Sequence, residues 1–170
     1  MSDNVLPVPK RSKVSIGADK NGRPYPRPIV AVDIALLSVN AAGNRLEVAQ
    51  MWRADTDAWA LPGAFLRQGE TLADAVTRCL HDKLGVEGIR LRQLQVFDDP
   101  HRDDRGWVLS VAHVAVVRPD RLRSLGAGTA SRTRMASVDR PGELAWDHAE
   151  IVRLAKKDVR RRYAEYADPD

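Results

Sequence analysis

Residues 29–39 read Ile-Val-Ala-Val-Asp-Ile-Ala-Leu-Leu-Ser-Val, a β-branched and almost uncharged run with no polar alternation to leave one face in water. A strand of that character sits inside a sheet that is covered on both faces. Residues 107–117, Trp-Val-Leu-Ser-Val-Ala-His-Val-Ala-Val-Val, repeat the pattern. Two such strands need a layer of other elements on either side, and this governs every other assignment. Asp33 is the exception, a carboxylate in the middle of the first run.

The covering elements carry their own signals. Asn40-Ala-Ala-Gly-Asn44 supplies turn chemistry, and residues 46–52 alternate as the return strand of a hairpin. In residues 71–84, Leu72, Ala75, Val76, Cys79, Leu80 and Leu84 fall on one helical stripe. Thr71 with Asp74 three residues on marks the start, and Gly85 followed by Val86 marks the stop. A strand is predicted over 89–97, followed by a charged loop from Asp98 to Arg105. Residues 118–140, with Gly126-Ala-Gly128 and six arginines, read as loop with one short strand near 135–138.

A last helix is predicted from Asp147 as N-cap, Glu150 as the far side of a capping box, and Trp146 with Ile151 as a hydrophobic staple. Its buried stripe is Ile151, Val152, Ala155, Val159 and Tyr163. His148 also falls on that face, as a hydrogen-bonded packing histidine. Strands mixed with two marked helices define an α/β (α+β) domain with a mixed sheet sandwiched between helices.

Charge is distributed unevenly. Residues 1–28 hold five of the ten prolines and six basic residues against two acidic ones, so residues 29–170 carry 21 of each sign. The net charge of +4 therefore describes a leader, and a nucleic-acid surface on the domain is not expected. We divide the chain into an extended, basic, proline-rich arm at 1–26 and a domain at 27–170. One cysteine excludes a disulfide framework, and no apolar stretch reaches membrane-spanning length, so a cytoplasmic protein is expected. The basic end of the last helix (Lys156, Lys157, Arg160, Arg161, Arg162) reads as a solvated face.

The segment Trp59-Ala-Leu-Pro-Gly-Ala-Phe-Leu-Arg-Gln-Gly-Glu70, continued by Arg78-Cys-Leu-His-Asp-Lys-Leu-Gly-Val86, resembles the Nudix box. Glu70, Arg78, Leu80, Gly85 and Val86 keep its register without a gap, Leu61-Pro62-Gly63 matches its lead-in, and Ala64 replaces its first glycine. The resemblance implies the Nudix fold, with Gly63, Arg78 and Gly85 structural and Arg78 paired with Glu70. It also implies three helical glutamates that bind Mg²⁺ and activate the water that cleaves a nucleoside diphosphate. Here those positions are Cys79, Asp82 and Lys83, so three negative charges have become zero.

Glu70 and Asp82 are the remaining candidates for metal binding and catalysis, and Mg²⁺ is not required for ligand binding. Lys83 has a plain account as a solvated helix lysine. A helical wheel nevertheless sets it between Cys79 and Leu72 inside the apolar arc, where a role on a bound phosphate would explain it. Cys79 has no histidine on its own face and is expected in the core.

Residues 27–33, 102–112 and 144–151 resemble the ADP-ribose-recognising branch of the family, which includes Nudix-related transcriptional regulators of NAD metabolism. That resemblance spans residues 27–165. With the chain ending at Asp170, the regulators' winged helix is not expected. Lys83, Arg67, Arg102, Asp103 and Arg105 are the candidate ligand-binding residues, arginine forks suiting phosphate and an aspartate suiting ribose. The reading is a Nudix-fold domain that binds an ADP-ribose-like nucleoside diphosphate as a sensor or with weak hydrolysis. It competes with an active Mg²⁺-dependent pyrophosphohydrolase, which would draw a further carboxylate from Asp103 or Asp104. A third reading is a protein-interaction module using the arm. A homodimer is what the family resemblance implies.

Overall fold

The computed structural model describes residues 17–123, 125 and 132–166. The first apolar run forms β1 (Ile29–Val39), and the second forms β6 (Val108–Val117). The two lie side by side and parallel, in register from Ile29 opposite Val108 to Ser38 opposite Val117. Around this pair stand β2 (Leu46–Arg53), β3 (Ala58–Ala60), β4 (Gly63–Phe65), β5 (Arg92–Phe97) and β7 (Thr133–Ser137). The sheet runs β3-β2-β1-β6-β5, with β4 added to β1 and β7 to β2. It is mixed, as expected.

Helix α1 (Leu72–Leu84) covers one face, where Ala75, Val76, Cys79, Leu80 and Leu84 pack on Val32, Ile34, Leu36 and Ala49. Helix α2 (His148–Tyr166) covers the other, laying Ile151, Val152, Ala155 and Val159 on Ala35, Leu37, Val48 and Val114. Adjacent residues of β1 thus serve opposite layers, which is why the run shows no polar alternation. Cys79 has no exposed surface, and burial pushes its thiol up to about 11. The cysteine is packing, as read from the sequence.

The cap signals of α1 are realised. The Thr71 hydroxyl accepts from the Asp74 amide at 3.1 Å, the Asp74 carboxylate accepts from the Thr71 amide at 2.9 Å, and Gly85 closes the helix at φ 65°. Those of α2 are not. The Asp147 carboxylate turns to Arg102, Glu150 pairs with Arg153, and Trp146 leaves Ile151 to lie against His148 and Arg105. Tyr163 is 64% exposed rather than part of the buried stripe.

β3 and β4, three residues each, are missing from the sequence reading because segments that short show no period. The described part of the arm is not uniformly extended. Asp19 accepts from the amides of Asn21 and Arg23 at 2.8 and 2.9 Å, forming a turn closed by a bridge between Ala18 and Pro24. The readings of residues 1–16 and of Gly126-Ala-Gly128 fall outside the described residues. Among the described residues no helix is long and apolar enough to cross a membrane.

β1 takes β4 as its antiparallel partner at residues 31–33 and β2 at residues 37–39. A cleft opens at the β4 end of that change of partners.

Candidate ligand-binding cleft

The floor of the cleft is the carboxylate that the sequence marked as an exception. Asp33 is buried, with Ser110 Oγ donating to it at 2.7 Å, Arg102 Nη2 at 3.1 Å and His148 Nε2 at 3.4 Å. Burial alone would raise its pKa; His148, Ser110 and Arg102 outweigh that and hold it well below the usual carboxylate range. Gly63 stands opposite Asp33 in the register. A Cβ there would collide with Asp33 Oδ1 and come within 2.9 Å of the Val32 carbonyl oxygen, so the glycine has a steric reason.

His148 Nδ1 accepts from the Leu61 amide at 2.9 Å, which places its proton on Nε2, facing Asp33. That imidazole is a positioned packing group, as expected, and it has no free nitrogen with which to act as a base. Arg102 spends its fork within the protein: Nε and Nη2 donate to the two Asp147 oxygens at 2.7 and 2.5 Å, and Nη2 also reaches Asp33. Its side chain is 3% exposed. This is a strut between β1 and the start of α2.

The walls carry the accessible chemistry. Arg105 is clamped on Asp103 at 2.9 and 2.7 Å, and the Arg105 hydrogen bond holds the Asp103 carboxyl low. The Arg105 guanidinium lies 4.2 Å from the Trp146 ring centroid and 5.4 Å from that of Phe65. Arg53 covers the Trp146 ring at 5.4 Å, and Asp104 accepts from the Trp146 indole at 3.1 Å. Trp146 holds φ 54°, a left-handed backbone that is uncommon for a bulky residue and points to a constrained position. Lys83 enters from α1, half-buried, with its ammonium donating to the Gly63 carbonyl. The cleft holds about 550 Å³, its open mouth included.

Lys83, Arg102, Asp103, Arg105 and Gly63 are thus brought together in one cleft, while Glu70, Arg67, Arg78 and Asp82 do not line it. Arg78 Nε and Nη2 grip both Glu70 oxygens at 2.6 and 2.8 Å, as the resemblance implied, and the Arg67 amide adds a bond at 2.8 Å. Arg78 foremost holds the Glu70 carboxyl down at about 2. Asp82 is exposed and engaged by His81 at 2.9 Å. Arg67 is exposed.

These residues do not make a fitting divalent-metal site. One candidate carboxylate is neutralised by a guanidinium, the buried Cys79 thiol is protonated at neutral pH, and Lys83 adds a positive charge. Among the described residues no group of three or more His, Cys, Asp or Glu side chains could hold a metal ion. The sequence reading missed Arg53, Phe65 and Trp146 as cleft residues. Asp33 was its only local signal for the floor.

No protein-family model matches the chain. The fold overlays on a MutT/nudix family protein from Listeria innocua with a TM-score of 0.71 at 27% identity, covering 82% of this chain and 99% of that one. The class is therefore the Nudix fold, a mixed sheet between helices. Within it, the likeness is to proteins named for ADP-ribose. Over 98 residues the chain is 33% identical to the ADPR responsive transcriptional repressor NtrR of Acinetobacter baylyi, a match covering 55% of this chain and 38% of the repressor. Over 134 residues it is 29% identical to the ADP-ribose pyrophosphatase of Methanocaldococcus jannaschii, covering 79% of this chain and 76% of that enzyme. The match thus spans well under two thirds of the repressor's length.

Proposed function

We propose that the cleft binds an ADP-ribose-like nucleoside diphosphate, and that the domain serves as a ligand sensor with little or no hydrolysis. The observation that carries this reading is Lys83. A cation stands in the cleft wall, answered by a backbone carbonyl, at the position where the Nudix box resemblance implies a metal-binding glutamate. A direct ammonium contact to the diphosphate then takes the place of a bridging ion. Arg105 and Arg53, laid on Trp146, add guanidinium donors at the mouth, and Asp103, buried with both oxygens bonded to Arg105, holds that guanidinium in place. Arg102 supports the floor, so its part in binding is to hold Asp33 and Asp147 in place.

Calorimetric titration with ADP-ribose tests this reading. Binding is expected with or without Mg²⁺ and is expected to weaken in Lys83→Glu; affinity that appears only with Mg²⁺, or is unchanged in the variant, overturns it. The pyrophosphohydrolase reading draws on the 29% match to the archaeal enzyme over most of the chain. Turnover of ADP-ribose separates the two. We expect a rate at least about 10²-fold below an intact Nudix enzyme, since loss of a general base typically costs about 10²–10⁴. Ordinary turnover with Mg²⁺ would promote the hydrolase.

For the rest of the chain we propose a homodimer of domains spanning 27–170, with an arm at 1–26 that contributes little to stability. Deleting residues 1–22 should leave both the Tm and the light-scattering mass unchanged, whereas a fall in both would make the arm part of the dimer contact. The deletion retains Pro24, Pro26 and Pro28 before β1.

A further inference from the structure

Outside the cleft, where β2, β3 and β7 meet, two arginines are stacked on a tryptophan pair. The Arg134 guanidinium lies 4.0 Å from the Trp59 ring centroid, and that of Arg132 lies 5.3 Å from Trp59 and 5.4 Å from Trp52. The two indoles meet edge to face at 5.5 Å. None of the four residues lines the cleft.

Arg134 is held in place from within the protein. Gln50, which has no exposed surface, accepts from Arg134 Nε at 2.8 Å through its side-chain oxygen and donates to the Pro141 carbonyl at 2.9 Å through its nitrogen. Arg134 Nη2 also reaches the Pro141 carbonyl, at 3.4 Å. Gly142, at φ 77°, makes room for it, since a Cβ there would lie 3.2 Å from Nη2. A buried amide, a carbonyl, a glycine and an indole face together fix one guanidinium, and a second cation stands beside it.

Among the described residues this pair has no counter-charge. Neither guanidinium has a carboxylate within 4.0 Å among those residues, whereas Arg45, Arg53, Arg118, Arg153 and Arg161 each do. The flanking segment 124–131, Ser-Leu-Gly-Ala-Gly-Thr-Ala-Ser, contains no acidic residue. Burial and the neighbouring Arg132 both push the Arg134 pKa down, a sign that the arrangement costs free energy as it stands. An oxyanion bridging the two forks would offset that cost through charge-assisted hydrogen bonds.

We propose that Arg132 and Arg134, laid on Trp59 and Trp52, form a second anion site that takes the phosphate of a small phosphate ester. The source is a small molecule rather than a nucleic-acid strand, because the site offers two cations and residues 29–170 carry 21 charges of each sign, which is no basic track for a backbone. The site does not rest on the reading of the cleft.

The tryptophan indole resonances of the full chain test the proposal, since Trp52 and Trp59 report this site and Trp146 reports the cleft. Titration with inorganic phosphate, and separately with AMP, is expected to move the Trp52 and Trp59 signals; sodium chloride at equal ionic strength is expected not to. Arg132→Gln should raise the midpoint about tenfold, the loss expected for one charge-assisted contact. Arg134→Lys, which keeps the charge and discards the fork, should also weaken binding. Movement of the Trp146 signal alone, or an unchanged midpoint in Arg132→Gln, overturns the site. A short oligothymidylate that binds more tightly than AMP overturns the small-ester source. Should Arg134→Lys fail to fold, the exposed Arg132 carries the test by itself.

Discussion

The two helices begin under opposite rules. At α1, Thr71 and Asp74 satisfy each other's amides, and the helix starts where its local sequence says it should. At α2, the sequence offers an equally good N-cap in Asp147, yet the carboxylate leaves the helix end for Arg102, and Trp146 is drawn into a left-handed backbone beside Arg105. The first helix start serves only itself, whereas the second is recruited to build the cleft. A local rule that fails in an otherwise rule-abiding chain marks a place where side chains are committed elsewhere.

Substitutions at the two ends sharpen this contrast. Arg102→Ala should be the most damaging, because it strands the buried Asp33 and frees Asp147; removal of one partner from a buried pair costs about 3–5 kcal/mol, readable by chemical denaturation. Asp147→Ala should cost about 1.5–3 kcal/mol, the value of hydrogen bonds to a charged group, and more than a typical cap alone. Thr71→Ala at the self-contained end should cost about 1 kcal/mol. Equal costs for Asp147→Ala and Thr71→Ala would erase the distinction. Tyr163→Ala, far along α2 and exposed, should stay within about 0.5 kcal/mol of the parent.

Acid should probe the network behind the second start. The folded-state pKa of Asp33 lies below its unfolded value of about 3.9, so its stabilising contribution is complete above that pH and is lost as pH falls toward the folded value. Stability of the parent should therefore fall more steeply below about pH 4 than that of Asp33→Asn. Parallel acid profiles would mean that the Asp33 carboxylate does not carry the network.

What could be read in the sequence follows the same division. β1 and β6 were legible because burial on both faces leaves few polar residues to confuse the pattern, and α1 was legible from its stripe and both caps. The Arg78–Glu70 pair followed from a motif held in register. Lys83 stood out through its place in the apolar arc. The floor of the cleft was not legible, because Arg102 meets Asp33 and Asp147 across 69 and 45 residues of chain, and no local period records such a meeting. Arg53 and Trp146 were missed for the same reason, while β3 and β4 were too short to signal.

The Arg102 strut also has a consequence in time. Its contact with Asp33 joins two segments that only the parallel pairing of β1 with β6 brings side by side, so it forms once β1 and β6 have met. An interaction absent from the folding transition state alters the rate of leaving the native state and not the rate of reaching it. Arg102→Ala should accordingly steepen the loss of native protein by accelerating unfolding, with refolding unchanged. The floor of the cleft then assembles after the centre of the sheet, and once closed it acts as a latch that sets how long the folded molecule lasts.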